Sequence, residues 1–328
     1  MKQLQYLPTT YWIDDVSLNV CPIPPHAKND FVRTDVRLTK GTFSIGTTDG
    51  DPDITGDEHK GLLYGFEQDG YSDMWSSYAT LRVEEIDGNI TDVDLSEFRP
   101  DQPPFIDEDD TVVTTWFSKD FGLEVSQYVS IIENEHSERK DTVLIEYSIT
   151  SFNPEPIKVG LRSMMDVRIG SNDGAPYFIP DVGQVIYETE FVGDDVPEYW
   201  RAFESANFIA NALKAQGTLR TGTTPPDRFI IGRWGNADLG QTDGLYWHEW
   251  DYTVDTTALV TEDSAVALYW NPVPLNALEN VSFATYYGLA GEGGGEAWLE
   301  APSEVTCDGL EFNASMWLVN NSHTFSLR

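Results

Sequence analysis

Two stretches of the sequence combine residue types that could perform chemistry. The first, residues 246–251 (YWHEWD), holds one histidine, two carboxylates and three aromatic side chains. A histidine and a carboxylate can transfer protons, and aromatic rings can stack on the faces of sugars. On a strand, Glu249 would face away from His248, because successive side chains alternate. The alternative is an ordinary amphipathic strand with its aromatic residues in the core.

The second stretch, residues 159–180 (VGLRSMMDVRIGSNDGAPYFIP), reads as a strand that runs into a polar loop and out into an extended segment. Asp166 lies near the end of the predicted strand, and polar residues follow in and after the loop: Asn172, Asp173 and Asp181. A carboxylate in such a place can be catalytic, can bind Ca²⁺, or can hydrogen-bond loop amides as in an Asx turn. The structural role is the favoured interpretation.

A calcium site is the one cofactor that the sequence suggests; the alternative is no cofactor. Alternating carboxylates in a turn-rich loop can converge on Ca²⁺. The candidate ligands are Asp49, Asp51, Asp53 and Asp57, with Asp173 as a further candidate elsewhere in the chain. The EF-hand pattern fails, because Ile54 stands where its glycine belongs. An exposed acidic loop is the competing interpretation.

Motifs of several enzyme classes are absent from the sequence. It contains no G-x-S-x-G elbow, no H-E-x-x-H, no phosphate-binding glycine loop and no C-x-x-C pair. None of the five histidines stands four residues from another, which disfavours a histidine-rich zinc site. A non-enzymatic role is therefore favoured. If the chain does act on carbohydrate, its expected catalytic residues are His248, Glu249 and Asp166.

The charge of the chain excludes some partners. Its 328 residues carry a formal net charge of −35, spread along the whole sequence. Such a surface repels nucleic-acid phosphates and anionic membranes. High salt screens the self-repulsion of so many carboxylates, which predicts a high-salt or marine microbe as the source. The alternative is a solvated, solubilising surface.

Strand-like segments dominate the chain, and turn residues separate them. With about twenty short strands, this pattern predicts an all-β fold, a large antiparallel β-sandwich of the supersandwich type. One or two short helices are expected around residues 197–216 (PEYWRAF, then SANFIANALKAQ). The predicted divisions are N-terminal peripheral strands (1–37), the main sandwich (38–290), a glycine-rich linker (291–296) and terminal strands of an immunoglobulin-like or strand-exchange segment (297–328).

The two cysteines, Cys21 and Cys307, lie near opposite ends of the sequence. In an exported protein they are expected to form a disulfide, and in a cytosolic protein they would be separate thiols. Glycosylation candidates are Asn89, Asn280, Asn313 and Asn320. The N-terminus lacks a signal-peptide pattern, so the expected extracellular or cell-surface location requires a removed signal or another route, such as a virion.

Four stretches resemble an uncharacterised β-rich domain of microbial cell-surface and secreted multidomain proteins. They are GTFSIGTTDGDPD…KGLLYG, VGLRSMMDVRIGSNDGAPYFIPDVG, DDVPEYWRAF and SAVALYWNPVPL…FATYYGLAG, spread over residues 40–290. In that family an immunoglobulin-like module commonly follows, and APSEVTCDGLEFNASMWLVNN is similar to its opening strands. After LLYG, the chain departs from the family with a longer loop that holds Asp69, Asp73 and Trp75.

The resemblance implies a surface setting and names no catalytic residue. The sequence thus predicts a non-enzymatic structural or assembly protein of an extracellular surface, filament or particle. Its partners would be copies of itself or other surface proteins, with a glycan as a further candidate and with neither nucleic acid nor membrane insertion. Two alternatives stay open: a carbohydrate-binding or carbohydrate-active protein of the mutarotase or lyase type, and a virion component.

Overall fold

A computed structural model describes residues 24–67, 74–134, 137–205, 212–220, 224–290, 296–300 and 315–319. The first ten strands are β1 (His26–Lys28), β2 (Val32–Val36), β3 (Phe43–Thr47), β4 (Tyr78–Glu84), β5 (Ile90–Asp94), β6 (Phe105–Ile106), β7 (Val112–Ser118), β8 (Leu123–Ile132), β9 (Thr142–Ser151) and β10 (Ile157–Asp166). The others are β11 (Tyr177–Ile179), β12 (Gly183–Val185), β13 (Thr189–Val192), β14 (Tyr199–Phe203), β15 (Lys214–Thr218), β16 (Arg228–Arg233), β17 (Ser264–Leu275), β18 (Asn280–Leu289), β19 (Glu296–Glu300) and β20 (Ser315–Val319). Short 3₁₀ turns lie at Leu95–Glu97, Gly193–Asp195, Ala237–Leu239 and Leu245–Trp247.

The strands form two large antiparallel sheets. A six-stranded sheet has the order β13-β16-β17-β10-β4-β5, and a nine-stranded sheet has the order β12-β11-β14-β15-β18-β9-β8-β7-β6. A three-stranded sheet, β1-β2-β3, and the pair β19-β20 complete the described architecture. The predicted all-β, large antiparallel sandwich is confirmed.

The main core lies between the two large sheets. β9 shows how the sequence produces it: Val143, Ile145, Tyr147 and Ile149 alternate with less buried residues, and all four face this core. Aromatic contacts join the sheets directly. Trp200 of β14 stacks on Phe229 of β16 with ring centroids 6.0 Å apart, and Trp270 of β17 meets Phe283 of β18 at 5.6 Å.

A second hydrophobic cluster covers the outer face of the six-stranded sheet. Met164 of β10 and Tyr269 of β17 belong to it, as do Trp234, Leu245 and Trp250 from the long segment between β16 and β17. The central strands β10 and β17 are therefore covered on both faces. This explains why β10 and residues 264–270 of β17 are almost continuously buried instead of alternating.

The first described strands share the main core with the rest of the protein. Ala27 of β1 and Val32 and Val36 of β2 are buried in it, and β2 pairs with β3. This sheet crosses the predicted division at residues 37 and 38. Four residues with predicted modifications lie outside the described part of the chain: Cys21, Cys307, Asn313 and Asn320.

The helices predicted around residues 197–216 are wrong where the structure describes this segment. Residues 199–203 form β14 between β11 and β15, and residues 214–218 form β15; residues 206–211 lie outside the described part. The composition of PEYWRAF suits a helix, but pairing on both sides outweighs a weak local propensity. Trp200 and Phe203 are consequently buried.

The interpretation of residues 246–251 as an amphipathic strand is also wrong. Residues 245–247 form a 3₁₀ turn. A β-carbon on Gly244 would lie only 2.4 Å from the α-carbon of Gly235, so two glycines allow the chain to approach itself here. The amide of Tyr246 then donates to the carbonyl of Trp234 at 2.9 Å.

Candidate functional site

The candidate site lies at one end of three neighbouring central strands of the six-stranded sheet, β16, β17 and β10. Asp166 is the last residue of β10, and Asp263 immediately precedes β17. These strands are antiparallel with Asp166 opposite Ala265, so the end of one lies beside the start of the other. β16 ends at the same edge, because Arg233 pairs with Ser264, and Trp234 follows it.

The loop after β10 brings Asp173 to the same edge. Asn172 fixes this loop: its Nδ2 donates to the carbonyl of Glu204 at 3.0 Å, and its Oδ1 accepts from the amide of Gly174 at 3.2 Å. The carbonyl of Asp173 accepts from the amide of Ser264 at 3.1 Å. These bonds hold the Asp173 backbone against the first residue of β17.

Asp166, Asp173 and Asp263 form a cluster of carboxylates, called the Asp cluster below. One carboxylate oxygen from each lies within 4.8 Å of the others. Asp166 is 3% exposed and Asp263 is 5% exposed, whereas Asp173 is half-buried. Asp263 Oδ2 accepts from Asn236 Nδ2 at 2.9 Å. Within the described residues, the Oδ1 atoms of Asp166 and Asp173 are buried and have no hydrogen-bond partner.

Burial perturbs the acidity of the whole cluster. It raises the pKa of Asp166 well above its ordinary value, and the negative charges of Asp263 and Asp173 add to this effect. Burial and then the charge of Asp263 raise the pKa of Asp173 to about 6. Burial also raises the pKa of Asp263, against the hydrogen bond from Asn236. Three such carboxylates at neutral pH favour either a retained proton or a bound cation.

Aromatic side chains form a wall of the cavity above the Asp cluster. The rings of Trp234 and Tyr246 stack with centroids 4.5 Å apart, and the edge of Trp75 meets them at 5.3 and 5.5 Å. Trp247 lies 5.2 Å from Tyr246 and is 52% exposed. With Tyr64 and Asn236 these residues enclose a cavity of about 440 Å³.

A second cavity, of about 550 Å³, adjoins the first. Trp75, Tyr246 and Trp247 line both cavities, so the two cavities share these three rings as a common wall. The second cavity is also lined by charged groups of both signs, Arg37, Lys40, Asp94, Glu97 and Glu249. We call the two spaces together the cleft.

The fully buried Arg162 of β10 positions the aromatic wall. Its NH2 atom donates to the carbonyl of Leu245 at 2.6 Å, and its Nε donates to the hydroxyl of Tyr269 at 3.2 Å. The first bond anchors the 3₁₀ turn that carries Tyr246 and Trp247. Trp247 is fixed further by its Nε1, which donates to the carbonyl of Gly235 at 2.5 Å.

The structure does not bring the three predicted catalytic residues together. Asp166 lies on the floor of the first cavity, and Glu249 lines the second. His248 lines neither cavity; its Nε2 lies 2.7 Å from Asp243 Oδ1, and its ring meets the edge of Tyr252. The grouping of His248 with Asp166 was an inference from residue types, which carries no information on strand register.

An arginine from outside the loop lies beside two of the predicted calcium ligands. The guanidinium of Arg139 lies 3.4 Å from Asp51 and 3.6 Å from Asp53. Asp57 is buried and accepts the amide of Asp51 at 2.8 Å, and Asp49 is exposed. Asp51, Asp53 and Asp57 thus have partners within the protein, although Asp57 Oδ1 is buried without one among the described residues, and calcium at this loop stays a prediction.

The two described glycosylation candidates are both exposed, at Asn89 and Asn280. Asn280 Nδ2 donates to the hydroxyls of Ser148 and Thr150 at 2.7 and 3.0 Å. In the described part of the chain, we find no helix with the length and apolarity that a membrane span requires. Modification, an extracellular location and a high-salt source remain predictions.

Asp263 and Trp234 are not among the residues that the sequence suggests, and Trp75 is noted there only as part of the loop that departs from the family. For Asp263 and Trp234, a weak signal in the sequence could have marked them as site residues. Asp263 directly precedes the apolar run SAVALYW, and Trp234 directly follows RFIIGR. Polar and aromatic residues at the termini of buried strands are the positions to examine, because neighbouring antiparallel strands bring such termini to one edge.

Comparison with known proteins gives fold relatives only. No family model and no curated protein matches the chain. Among solved structures, it resembles a putative aldose 1-epimerase from Escherichia coli K12 (10% identity, TM-score 0.44, 81% of this chain and 98% of that one). It also resembles a galactose mutarotase-like protein from Lactobacillus casei (10%, 0.44, 80% and 99%). A polysaccharide lyase matches at 13% identity and a TM-score of 0.44, over 84% of this chain and only 36% of the lyase.

The prediction of a non-enzymatic structural or assembly protein is wrong. This correction rests on the similar solved structures, which include a lyase, a putative epimerase and a mutarotase-like protein. At these identities and TM-scores the likeness concerns the fold, and the function has to be argued from the residues of the cleft.

Proposed function

We propose that the protein binds a saccharide in the cleft. The observation that carries this proposal is the pairing of an aromatic wall, Trp75, Trp234, Tyr246 and Trp247, with the carboxylate floor of the first cavity. A sugar ring needs both surfaces, because its C–H face stacks on aromatic rings while its hydroxyls donate to charged acceptors.

The charges in the first cavity disfavour other classes of ligand. Without a bound cation, a phosphorylated ligand would face the repulsion of Asp166, Asp173 and Asp263. A purely apolar ligand would leave the buried oxygens of Asp166 and Asp173 without partners, at a cost of about 1–3 kcal/mol for each such group. A neutral ligand with many hydroxyls avoids both penalties.

The second cavity extends the proposal from one sugar to a chain. Trp75, Tyr246 and Trp247 line both spaces, so a chain that leaves the Asp cluster passes these rings before it reaches Arg37 and Lys40. The volume of each cavity, about 440 and 550 Å³, falls within the range of about 300–1,000 Å³ that is typical of ligand sites. We therefore propose an oligosaccharide, or a segment of a polysaccharide, as the ligand.

A glycan array that carries neutral and acidic oligosaccharides tests the proposal on the full chain. We expect selective binding, and a loss of about five- to tenfold in affinity for Trp247→Ala, since an aromatic contact contributes about 1 kcal/mol or more. Phe117→Ala is the matched control: this ring is also exposed, at 40%, but lies on β7 away from the cleft. An array on which no glycan binds, or equal losses in the two variants, would contradict the proposal.

A further inference from the structure

No positively charged group contacts the Asp cluster among the described residues. Within the described residues, no lysine, arginine or histidine nitrogen lies within 4.0 Å of the carboxylates of Asp166, Asp173 or Asp263. Arg168 acts on Asp166 and Asp173 from a distance, and its guanidinium lies over the ring of Tyr64, 5.5 Å from the centroid. Buried carboxylates in proteins are normally paired or coordinate a metal.

We propose that Asp166, Asp173 and Asp263 bind one calcium ion. Calcium is ligated by oxygens at about 2.3–2.6 Å, so two oxygens on opposite sides of the ion are about 4.6–5.2 Å apart. The three carboxylate oxygens all lie within 4.8 Å of one another, so they are close enough together to contact one ion.

A separate observation also points to a ligand. The Asp166 residue is only 3% exposed, yet its Oδ1 atom has no hydrogen-bond partner among the described residues. Asp173 Oδ1 is likewise buried and unpartnered. A proton shared between two carboxylates would satisfy one of these oxygens, whereas a cation can contact all three side chains at once.

The donor set selects the type of metal. The cluster offers only carboxylate oxygens, with neither histidine nor cysteine, which disfavours zinc and copper. Magnesium demands near-ideal octahedral geometry and retains several waters, whereas calcium accepts irregular sites with six to eight ligands. Since the cluster lines the first cavity, the remaining coordination positions of the ion face the place proposed for the saccharide.

Calorimetric titration of the full chain with CaCl₂, after dialysis against EDTA, tests the inference without any saccharide. We expect one site per chain with a Kd on the order of 10⁻⁵–10⁻³ M and weaker binding of Mg²⁺. Asp173→Asn and Asp263→Asn should each weaken calcium binding by about tenfold or more, because each removes one charged ligand. Circular dichroism in EDTA confirms that the variants are folded.

Two matched variants make the test specific. Asp238→Asn changes the same charge in the same cavity, on an exposed residue outside the Asp cluster, and should leave the Kd within about twofold. Asp53→Asn probes the acidic loop near Arg139 and should also have no effect.

No binding by the wild type at about 10 mM Ca²⁺, well above the expected Kd range, would overturn the inference. Unchanged binding in Asp173→Asn and Asp263→Asn, or loss of binding in Asp53→Asn, would overturn it as well.

The inference stands apart from the proposed function, because calcium binding is measured on its own. Calcium binding by a protein that recognises no glycan would refute the saccharide proposal alone. Glycan binding by a protein that takes up no calcium would refute the calcium site alone.

Discussion

Asp166 and Asp263 lie side by side at one edge of the six-stranded sheet, because the end of β10 pairs with the start of β17. This relationship places two buried carboxylates against each other, and the loop after β10 adds Asp173 as a third. The site is therefore a consequence of strand register and not of any local motif.

The stability of the cation-free protein should depend on pH through Asp173. Its pKa is raised to about 6 in the folded chain, whereas an unfolded aspartate titrates near about 3.9. The folded state thus binds more protons between these values, and the free energy of unfolding falls as pH rises through this window. Since Asp173 is half-buried, we expect a fall of about 1–2 kcal/mol after allowance for solvent screening.

Urea unfolding in EDTA at pH 5 and pH 7.5 measures this effect. The other carboxylates of the chain also respond to pH, so the informative quantity is the difference between wild type and Asp173→Asn. The variant cannot titrate at this position and should lose less stability between the two pH values. Parallel pH profiles for the two proteins would show that Asp173 has no raised pKa.

Arg162→Met should weaken saccharide binding although Arg162 does not line the cleft. The substitution leaves the buried carbonyl of Leu245 without its donor, which costs about 1–3 kcal/mol of stability, and it frees the turn that carries Tyr246 and Trp247. Titration with the bound oligosaccharide should show lower affinity at a temperature where the variant is folded.

Arg220→Met is the control for this prediction. Arg220 also donates to two loop carbonyls, those of Val196 and Gly193, at 2.6 and 2.7 Å, but it lines neither cavity of the cleft. This variant should lose stability and keep its affinity. If Arg162→Met and Arg220→Met lower affinity equally, Arg162 has no specific positioning role.

Gly174→Ala should disturb the Asp cluster through the backbone. A β-carbon at this position would lie 2.1 Å from the carbonyl oxygen of Thr261, so the segment before Asp263 or the loop that carries Asp173 must move. Overpacking of this kind costs about 1–3 kcal/mol, and both calcium and saccharide affinity should fall.

Gly183→Ala is a suitable comparison, since its β-carbon would meet no atom within 4 Å and only its φ of +91° is unfavourable. It should cost about 1 kcal/mol and leave both affinities unchanged. Wild-type calcium affinity in Gly174→Ala would show that the cluster does not depend on this close approach.

Residues of the second cavity should affect long ligands more than short ones. Arg37 lines only the second cavity, so Arg37→Ala should weaken binding of a tetrasaccharide and leave binding of a disaccharide unchanged. Trp247→Ala, which alters the wall common to both spaces, should weaken both. Titration with a size series of the bound glycan measures this, and a length-independent effect of Arg37→Ala would contradict an extended ligand.

Much of the fold follows from local pattern. The alternation of Val143, Ile145, Tyr147 and Ile149 predicts the buried face of β9, and the structure confirms it. PEYWRAF shows the limit of such reasoning, because its helix-compatible composition yields to pairing with β11 and β15. Only the tertiary context distinguishes the two outcomes.

The site is harder to derive than the fold. Asp166 and Asp173 were recognisable because they follow an apolar strand, but their neighbour Asp263 becomes visible only once the register of β10 and β17 is known. The aromatic stretch at residues 246–251 is a candidate by its residue types, yet a close approach of Gly244 to Gly235 makes it a turn. That turn directs Tyr246 and Trp247 to the cleft and leaves His248 with Asp243.

The most direct test of the account is a crystal structure of the full chain with an oligosaccharide identified on the array and with CaCl₂. We expect one sugar ring beside Trp234, Tyr246 and Trp247, and a calcium ion between Asp166, Asp173 and Asp263. A sugar bound on another surface, with the aromatic wall and the Asp cluster in contact with solvent alone, would contradict the central claim that this cleft binds saccharide.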